Sequence, residues 1–459
     1  MTSAPKAAAA VDPSESLLLT DLYQLNMMQA YFDAGMTETA VFEFFVRRLP
    51  DTRGFLMAAG LQQVVDFLLG SRFTNAELTW LRSTGRFADW FVDQLSQYRF
   101  NGDVDAMPEG TVFFADEPIL RVAAPMPVAQ LVETRIINFL HYETLVASKA
   151  ARMVLAAPGK ALVDFGLRRA HSAEAGLLAA RAAYIAGFTG TATVPAAMLY
   201  DIPIYGTMAH SFVQAHDSEI GAFEDFARSR PASTIFLLDT YDTEAAAKKV
   251  VALAPELAAA GIETRGVRLD SGDLAAHARA VRSILDEGGL SEAEIVASGG
   301  IDETDLQSFH ASNAPIDIFG IGTSLVTSSD APALDCAYKL QEYAGRARRK
   351  RSEGKASWPG RKQVYRTFGA DGRIACDLIT SVDDPAPRQP HTEPLLKPVL
   401  RNGQPVGHHP TLEESRSHAA DNLRRLPDHL GRLASSPPVA VEISEALREL
   451  AAEVDRQSA

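Results

Sequence analysis

From Met126 to about Ser329, short apolar runs alternate with Ala- and Leu-rich stretches, and this alternation constrains the fold more than any other feature of the chain. The runs are Ala161–Phe165, Thr191–Val194, Ile204–Gly206, Thr234–Leu238, Thr264–Leu269, Ile295–Ala297 and Ile316–Gly320. Helical stretches lie between several of them: Ser172–Ala186, Thr243–Ala260, Asp273–Glu287 and Glu303–Ser312. Repeated strand–helix alternation implies an α/β fold, a parallel sheet covered by helices. Seven candidate strands over roughly two hundred residues fit an irregular (β/α) barrel, with a doubly wound sheet as the alternative.

The ends of the runs favour the barrel. They carry Phe165-Gly166-Leu167-Arg168-Arg169, Gly206-Thr207-Met208-Ala209-His210, Asp239-Thr240-Tyr241-Asp242, Arg268-Leu269-Asp270-Ser271-Gly272, Ser298-Gly299-Gly300 and Gly320-Ile321-Gly322-Thr323-Ser324. A barrel gathers such residues at the C-terminal ends of its strands, whereas fewer of them meet in a doubly wound sheet.

The flanks are mixed. Leu17–Ala34 reads as a helix starting near Thr20 or Asp21, Ala40–Val46 as a strand, and Gly60–Leu69 as a helix stopped by Gly70. Val112–Val122 reads as two short strands around Asp116-Glu117-Pro118. The basic stretch Gly345–Arg366 reads as a solvated, mobile linker rather than a polyanion contact, because the rest of the chain is acidic. Residues 364–380 read as a hairpin turning at Ala370-Asp371-Gly372, followed by Pro-rich loop and a terminal helix from about Ser444. Residues 1–16 read as a disordered tail, being unlike a signal or transit peptide.

A net charge of −14 argues against nucleic acid or membrane as a general partner, since a polyanion is repelled over most of the surface. No run of about 18 apolar residues exists to span a bilayer. Two cysteines, Cys336 and Cys376, form no CxxC pair, so a reducing, cytoplasmic setting is expected.

Several strand ends carry chemistry. In Ser298-Gly299-Gly300 and Gly320-Ile321-Gly322-Thr323, glycine lets the backbone approach an anion and aim N–H groups at it, which suits a phosphate. Arg268, Asp270 and Asp273 can together hold an anion and a ribose or hydrated Mg²⁺. His210 is open to three roles: general base, phosphate ligand or phosphorylated nucleophile. Its spacing to His216 and His277 suits no zinc site. Phe165 and Arg168 pair an aromatic face with a guanidinium, as a flat anionic ring would need.

Together with Thr20-Asp21-Leu22-Tyr23-Gln24, Phe44-Phe45-Val46-Arg47-Arg48 and Ala58-Ala59-Gly60-Leu61, these motifs form an ordered set from about Leu17 to Arg366. The set resembles the nicotinate phosphoribosyltransferase family. The resemblance implies an irregular (β/α) barrel over 128–340 and a second, discontinuous α+β domain formed by the N- and C-terminal segments, 17–127 and 367–459, with a basic linker over 341–366. It also implies transfer of phosphoribosyl from 5-phosphoribosyl 1-pyrophosphate to nicotinate. ATP is the co-substrate, Mg²⁺ is carried mainly by the phosphate substrates, and the partner is a second copy forming a homodimer with active sites at the interface.

The roles implied are stacking on the pyridine ring by Phe165 and by Tyr23 of the partner subunit, and carboxylate and phosphate binding by Arg168 and Arg268. Asp239 and Asp270 contact ribose, pyrophosphate or Mg²⁺ waters, within a substrate site that includes Thr207, Ser271 and Gly272. Gly299, Gly300, Gly320, Gly322 and Thr323 cradle the 5′-phosphate, His210 carries phosphate from ATP, and Arg47 or Arg48 reaches the neighbouring subunit. Nicotinamide-using relatives carry an acid where Ala192 stands, so nicotinate is the expected substrate. The rivals are a nicotinamide or quinolinate phosphoribosyltransferase, a phosphosugar aldolase or lyase, and a non-catalytic binder. The strand ends lack the lysine that a Schiff-base aldolase needs.

Overall fold

Why Ala161–Asp164, Gly266–Leu269 and their neighbours become strands is visible in their burial. Val163, Val267, Leu269, Phe236, Leu237 and Ile295 are all at most 1% exposed. Runs buried on both faces are what a helix-covered parallel sheet requires. In the computed structural model, which describes residues 16–433 and 437–457, these strands form a six-stranded sheet. Its order is Gly190–Thr191, Ala161–Asp164, Ile318–Ile321, Glu294–Ser298, Gly266–Leu269 and Ile235–Leu237. Every ladder is parallel. Gly320 stands opposite Ser298, and Arg268 lies opposite both Val296 and Leu237. The strand ends that carry the polar residues therefore share one edge.

The helices start where their caps dictate. Ser172, Asp242 and Asp273 each accept a backbone N–H from the first turn of Ala173–Ala186, Thr243–Ala259 and Leu274–Glu287. Asp302 and Asp305 form a reciprocal capping box on Glu303–Ala311. Asp273 thus caps its helix through Oδ1. Ile204–Gly206 is not a strand: only Ile204 forms an isolated bridge, to Thr191. The run Thr191–Val194 stops at Thr191 because Pro195 opens the short helix Val194–Tyr200. Among the described residues no ladder joins Gly190–Thr191 to Ile235–Leu237.

By contacts the chain divides into two units, one of them Val146–Pro332 with a short piece near Gly431. The other contains the chain up to Leu145, Ala333–Leu430 and the C-terminal helix Glu445–Gln457. In this second unit Thr39–Val46 pairs antiparallel with Cys336–Tyr343 and with Pro118–Pro125, inside a seven-stranded sheet. Leu22–Asp33, Asn75–Thr84 and Asp89–Ser96 pack around Leu25, Met28, Leu78, Phe91 and Leu95. The expected hairpin is present as Lys362–Phe368 and Ile374–Ser381.

The reading of Gly345–Arg366 as a solvated linker is corrected at its paired residues, while 350–356 are exposed. Lys362 and Arg366 lie in a strand and are buried, Lys362 2.7 Å from Glu43 and Arg366 2.6 Å from Asp377. Arg361 meets Glu342 at 2.9 Å, and Arg349 meets Asp455 at 3.3 Å. All four acids lie outside the basic stretch, Glu43 and Asp455 far from it in sequence, so a local count of charges misses them. The reading of 381–443 as loop is also corrected, by the strands Thr392–Pro394, Lys397–Arg401, Gln404–Pro405 and Ala440–Ile443 and the helix Leu412–Arg424. The expected tail falls almost wholly on residues outside those described.

Candidate active site

Arg268, near the end of Gly266–Leu269, organises the strand-end edge. Its Nε donates to Ser298 Oγ at 2.8 Å and its Nη2 to Asp270 Oδ1 at 2.7 Å. Its Nη1 reaches Thr207 Oγ1 at 3.1 Å and the Met208 carbonyl at 3.3 Å. A guanidinium has five N–H donors. These contacts leave one, on Nη2, so Arg268 offers a ligand a single hydrogen bond and a charge rather than a full fork. The same guanidinium lies 5.6 Å from the Phe165 ring centroid.

Asp270 also accepts from Ser298 Oγ at 2.5 Å. Burial opposes its ionisation, but the hydrogen bonds from Ser298 and Arg268, with the nearby Arg268 and His210 charges, hold its carboxyl below the usual range. Asp239 accepts from the Asp270 N–H at 3.2 Å and from Ser271 Oγ at 2.5 Å through one oxygen. Its other oxygen, Oδ1, is buried without a hydrogen-bond partner. His210 Nε2 lies 3.7 Å from Asp270 Oδ2 and 4.0 Å from this orphaned oxygen, while Nδ1 is 3.3 Å from Thr240 Oγ1. His210 is 38% exposed at its side chain, so the ring stays open to a ligand.

The glycines have steric reasons. Gly299 has φ +100°, and a Cβ there would fall 1.9 Å from the Asp270 carbonyl oxygen. Gly320 lies against the Phe165 ring, with its hypothetical Cβ 2.5 Å from Cδ2. A Cβ on Gly322 would fall 3.1 Å from the Phe165 carbonyl oxygen. Gly300 and Gly272 adopt left-handed conformations, φ +74° and +79°. Thr323 begins a short helix, and Ser324 Oγ donates to the Ile301 carbonyl at 2.5 Å, tying the two glycine turns together. Arg168 sits in an exposed 3₁₀ turn, Leu167–Arg169.

The strand-end edge thus brings together Phe165, Thr207, His210, Asp239, Arg268, Asp270 and Ser271. Tyr23, Arg47 and Arg48 belong to the other contact unit. Tyr23 is 45% exposed, and its hydroxyl donates to Glu133 Oε2 at 3.2 Å. Burial and the Glu133 carboxylate push that hydroxyl up to about 12. Arg47 and Arg48 share Asp335, at 2.8 and 3.2 Å, but Arg47 is 12% exposed and Arg48 83%.

Two participants went unrecognised in the sequence. Ser298 bridges Arg268 and Asp270, and its position just before Gly299 was the available signal. Asp164, 1% exposed, accepts from the Gly166 N–H at 2.8 Å and from Thr191 Oγ1 at 2.6 Å. Burial raises its pKa despite those bonds, and it fixes the turn that carries Phe165. It hides in sequence as the acid closing an apolar run.

Among the described residues no cluster of three or more His, Cys, Asp and Glu is arranged to hold a metal ion directly. Asp239 Oδ1, buried and unpaired, does suit the water shell of a cation brought by a phosphate ligand. The edge offers carboxylates for hydroxyls or cation-bound water, close-approach backbone for phosphate, and a flat aromatic surface beside positive charge.

Family models match most of the chain. The nicotinate phosphoribosyltransferase N-terminal domain matches residues 18–141, the family core matches 160–357 and the C-terminal domain matches 387–451. A nicotinate phosphoribosyltransferase of Mycobacterium tuberculosis is 48% identical over 92% of this chain and 91% of its own. That of Bacillus subtilis is 35% identical over 93% of each. The crystal structure of human nicotinic acid phosphoribosyltransferase superposes with a TM-score of 0.86 at 30% identity, covering 95% of this chain and 99% of the human one. The chain belongs to the nicotinate phosphoribosyltransferase family.

Proposed function

We propose that this enzyme joins the ring nitrogen of nicotinate to C1 of 5-phosphoribosyl 1-pyrophosphate, releases pyrophosphate, and spends ATP through a phosphohistidine at His210. The observation that carries the reading is the position of His210. An open imidazole faces the Asp239 and Asp270 carboxylates at 4.0 and 3.7 Å, on the edge that also holds Arg268 and the glycine turns.

Nicotinate needs no general base, because its nitrogen carries no proton at neutral pH. Catalysis then rests on holding the ring in line with C1 and neutralising the leaving pyrophosphate. Phe165, propped on Gly320, stacks on the ring. Exposed Arg168 takes the carboxylate, and Arg268 contributes its charge and remaining N–H to the neighbouring phosphate. Asp239 and Asp270 hold ribose hydroxyls and Mg²⁺-bound water, with Thr207, Ser271 and Gly272 alongside. When bound, Mg²⁺ supplies charge to the leaving group. Gly299, Gly300, Gly320, Gly322 and Thr323 receive the 5′-phosphate. Phosphate on His210 adds negative charge beside the pyrophosphate site, which lets ATP change substrate and product affinity differently.

In this reading the parallel sheet is an irregular barrel, and segments 17–127 and 367–459 form the second domain. The enzyme is a homodimer. Support comes from exposed apolar side chains following the strand ends: Val194, Met198, Leu199, Ile204 and Tyr241 are 52–81% exposed. Leu19, Leu22 and Tyr23 are also exposed, at 41–48%. Tyr23 of the partner subunit closes the ring site, and the exposed Arg48 rather than Arg47 reaches across. The compartment is the cytoplasm, consistent with free Cys336 and Cys376.

The test is an assay with phosphoribosyl pyrophosphate and each of nicotinate, nicotinamide and quinolinate, with and without ATP. Nicotinate mononucleotide should form fastest, with ATP stimulation. Preference for another pyridine, or no effect of ATP, would contradict the proposal.

A further inference from the structure

At the end of Ala161–Asp164 a buried carboxylate joins two turns of the strand-end edge. Asp164 Oδ1 accepts the Gly166 N–H at 2.8 Å, and Oδ2 accepts from Thr191 Oγ1 at 2.6 Å. The Thr191 hydroxyl oxygen in turn accepts the Thr193 N–H at 3.0 Å, so its own proton is directed to Asp164. The Asp164 carbonyl accepts the Ala192 N–H at 2.7 Å. Each carboxylate oxygen thus takes its donor from a different turn. Asp164 and Thr191 are at most 1% exposed, which leaves bulk water no access to the link.

The two turns carry different parts of the ring site. Gly166, held at its N–H by Asp164, accepts at its carbonyl from the Arg169 N–H at 2.8 Å and the Ala170 N–H at 3.1 Å, which builds the 3₁₀ turn that presents Arg168. On the other turn, Ala192 is held at its own N–H and at that of Thr193. The Phe165 N–H is secured separately, by the Ile321 carbonyl at 2.8 Å, and Arg268 is secured by Ser298. A buried acceptor deprived of its donor moves toward a new partner rather than stay unsatisfied. Here that movement changes where Arg168 stands relative to Ala192.

We propose that Asp164 is a positioning residue that, through Thr191, clamps the turn bearing Arg168 to the strand end bearing Ala192 and so determines how tightly the enzyme holds nicotinate. The inference rests on the reading of Phe165 and Arg168 as the ring site. Asp164→Asn in the full chain should raise KM for nicotinate by about tenfold or more, measured at saturating phosphoribosyl pyrophosphate. Thr191→Val, which keeps the branched shape and removes the hydroxyl, should do the same, and it carries the test if Asp164→Asn does not fold. Thr191→Ser, which keeps the hydroxyl, should recover much of the loss. KM for phosphoribosyl pyrophosphate should stay within about threefold in each, because the phosphate side is held by other contacts. Arg168→Ala, a change at an exposed residue, is the control for the underlying reading and should also raise the nicotinate KM. An unchanged nicotinate KM in Arg168→Ala would sink the ring-site reading. A raised value there would overturn the role of Asp164 alone in any of three cases: the clamp variants leave the nicotinate KM unchanged, they raise both substrates' KM equally, or Thr191→Ser behaves like Thr191→Val.

Discussion

Replacing Arg268 by alanine removes four hydrogen bonds at once, to Ser298, Asp270, Thr207 and Met208. Its side chain is 12% exposed, so the contacts are poorly screened. The loss takes the guanidinium from Asp270, which keeps Ser298 and His210 beside it, and removes a positive charge 5.6 Å from the Phe165 ring. Truncating one member of a desolvated charge pair costs roughly 2–5 kcal/mol, or about 30- to 4,000-fold in kcat/KM. Arg351 provides the contrast. It is 43% exposed and pairs with Asp455, itself 39% exposed, so Arg351→Ala should cost less than about 1 kcal/mol in stability and leave kcat/KM nearly unchanged. Steady-state kinetics with phosphoribosyl pyrophosphate varied at saturating nicotinate compare the two. Equal losses, or a loss below about tenfold for Arg268→Ala, would refute its central place in the site.

Three further outcomes are expected. Ala192→Asp places a carboxylate on an exposed residue whose N–H bonds the Asp164 carbonyl at 2.7 Å; it should depress nicotinate turnover and improve the nicotinamide-to-nicotinate ratio, and an unchanged ratio in paired assays would count against that position. Gly299→Ala, with its Cβ against the Asp270 carbonyl, should cost about 100-fold in kcat/KM, whereas Gly300→Ala, which has open space, should cost far less; equal losses would contradict the close-approach argument. Glu117 is buried, and burial first, then the Asp377 carboxylate, push its carboxyl well above its ordinary 4.5. The folded state therefore binds the extra proton, and the associated stability is present below about pH 4.5 and lost as pH rises toward the folded pKa. Glu117→Gln has no proton to lose, so its Tm relative to the unaltered enzyme should climb as pH rises above 4.5; a flat or falling difference in thermal melts would reverse that sign.

What could be read beforehand follows from what a local window contains. Apolar runs such as Thr264–Leu269, followed by a polar turn, mark a strand end, and most of those ends were legible. Asp270 and Asp273 look alike in sequence, but the second lies one residue before a helix and caps it through one oxygen. Ser298 was visible only as the start of a glycine turn, because its bond to Arg268 spans thirty positions. The buried Lys149–Glu303 pair was illegible for the same reason, its members lying 154 residues apart. The basic stretch misled because its neutralising acids lie outside it: Glu43 on a remote strand, Asp377 on the facing hairpin strand and Asp455 on the last helix. The helix Glu133–Ala156 was overlooked because the charged residues Arg135, Glu143, Lys149 and Arg152 are buried in it and blur its apolar stripe.

The central claim is that the imidazole facing Asp239 and Asp270 carries phosphate from ATP to drive transfer at the strand-end edge. The most direct measurement incubates γ-labelled ATP with the unaltered enzyme and with His210→Asn, then follows protein-bound label, its acid lability, and nicotinate mononucleotide formation. The account predicts acid-labile label on the unaltered enzyme only, with ATP hydrolysis and ATP stimulation both abolished in the variant while a slow ATP-independent transfer persists. Absence of label on the unaltered enzyme, or equal label and equal ATP stimulation in His210→Asn, would contradict it.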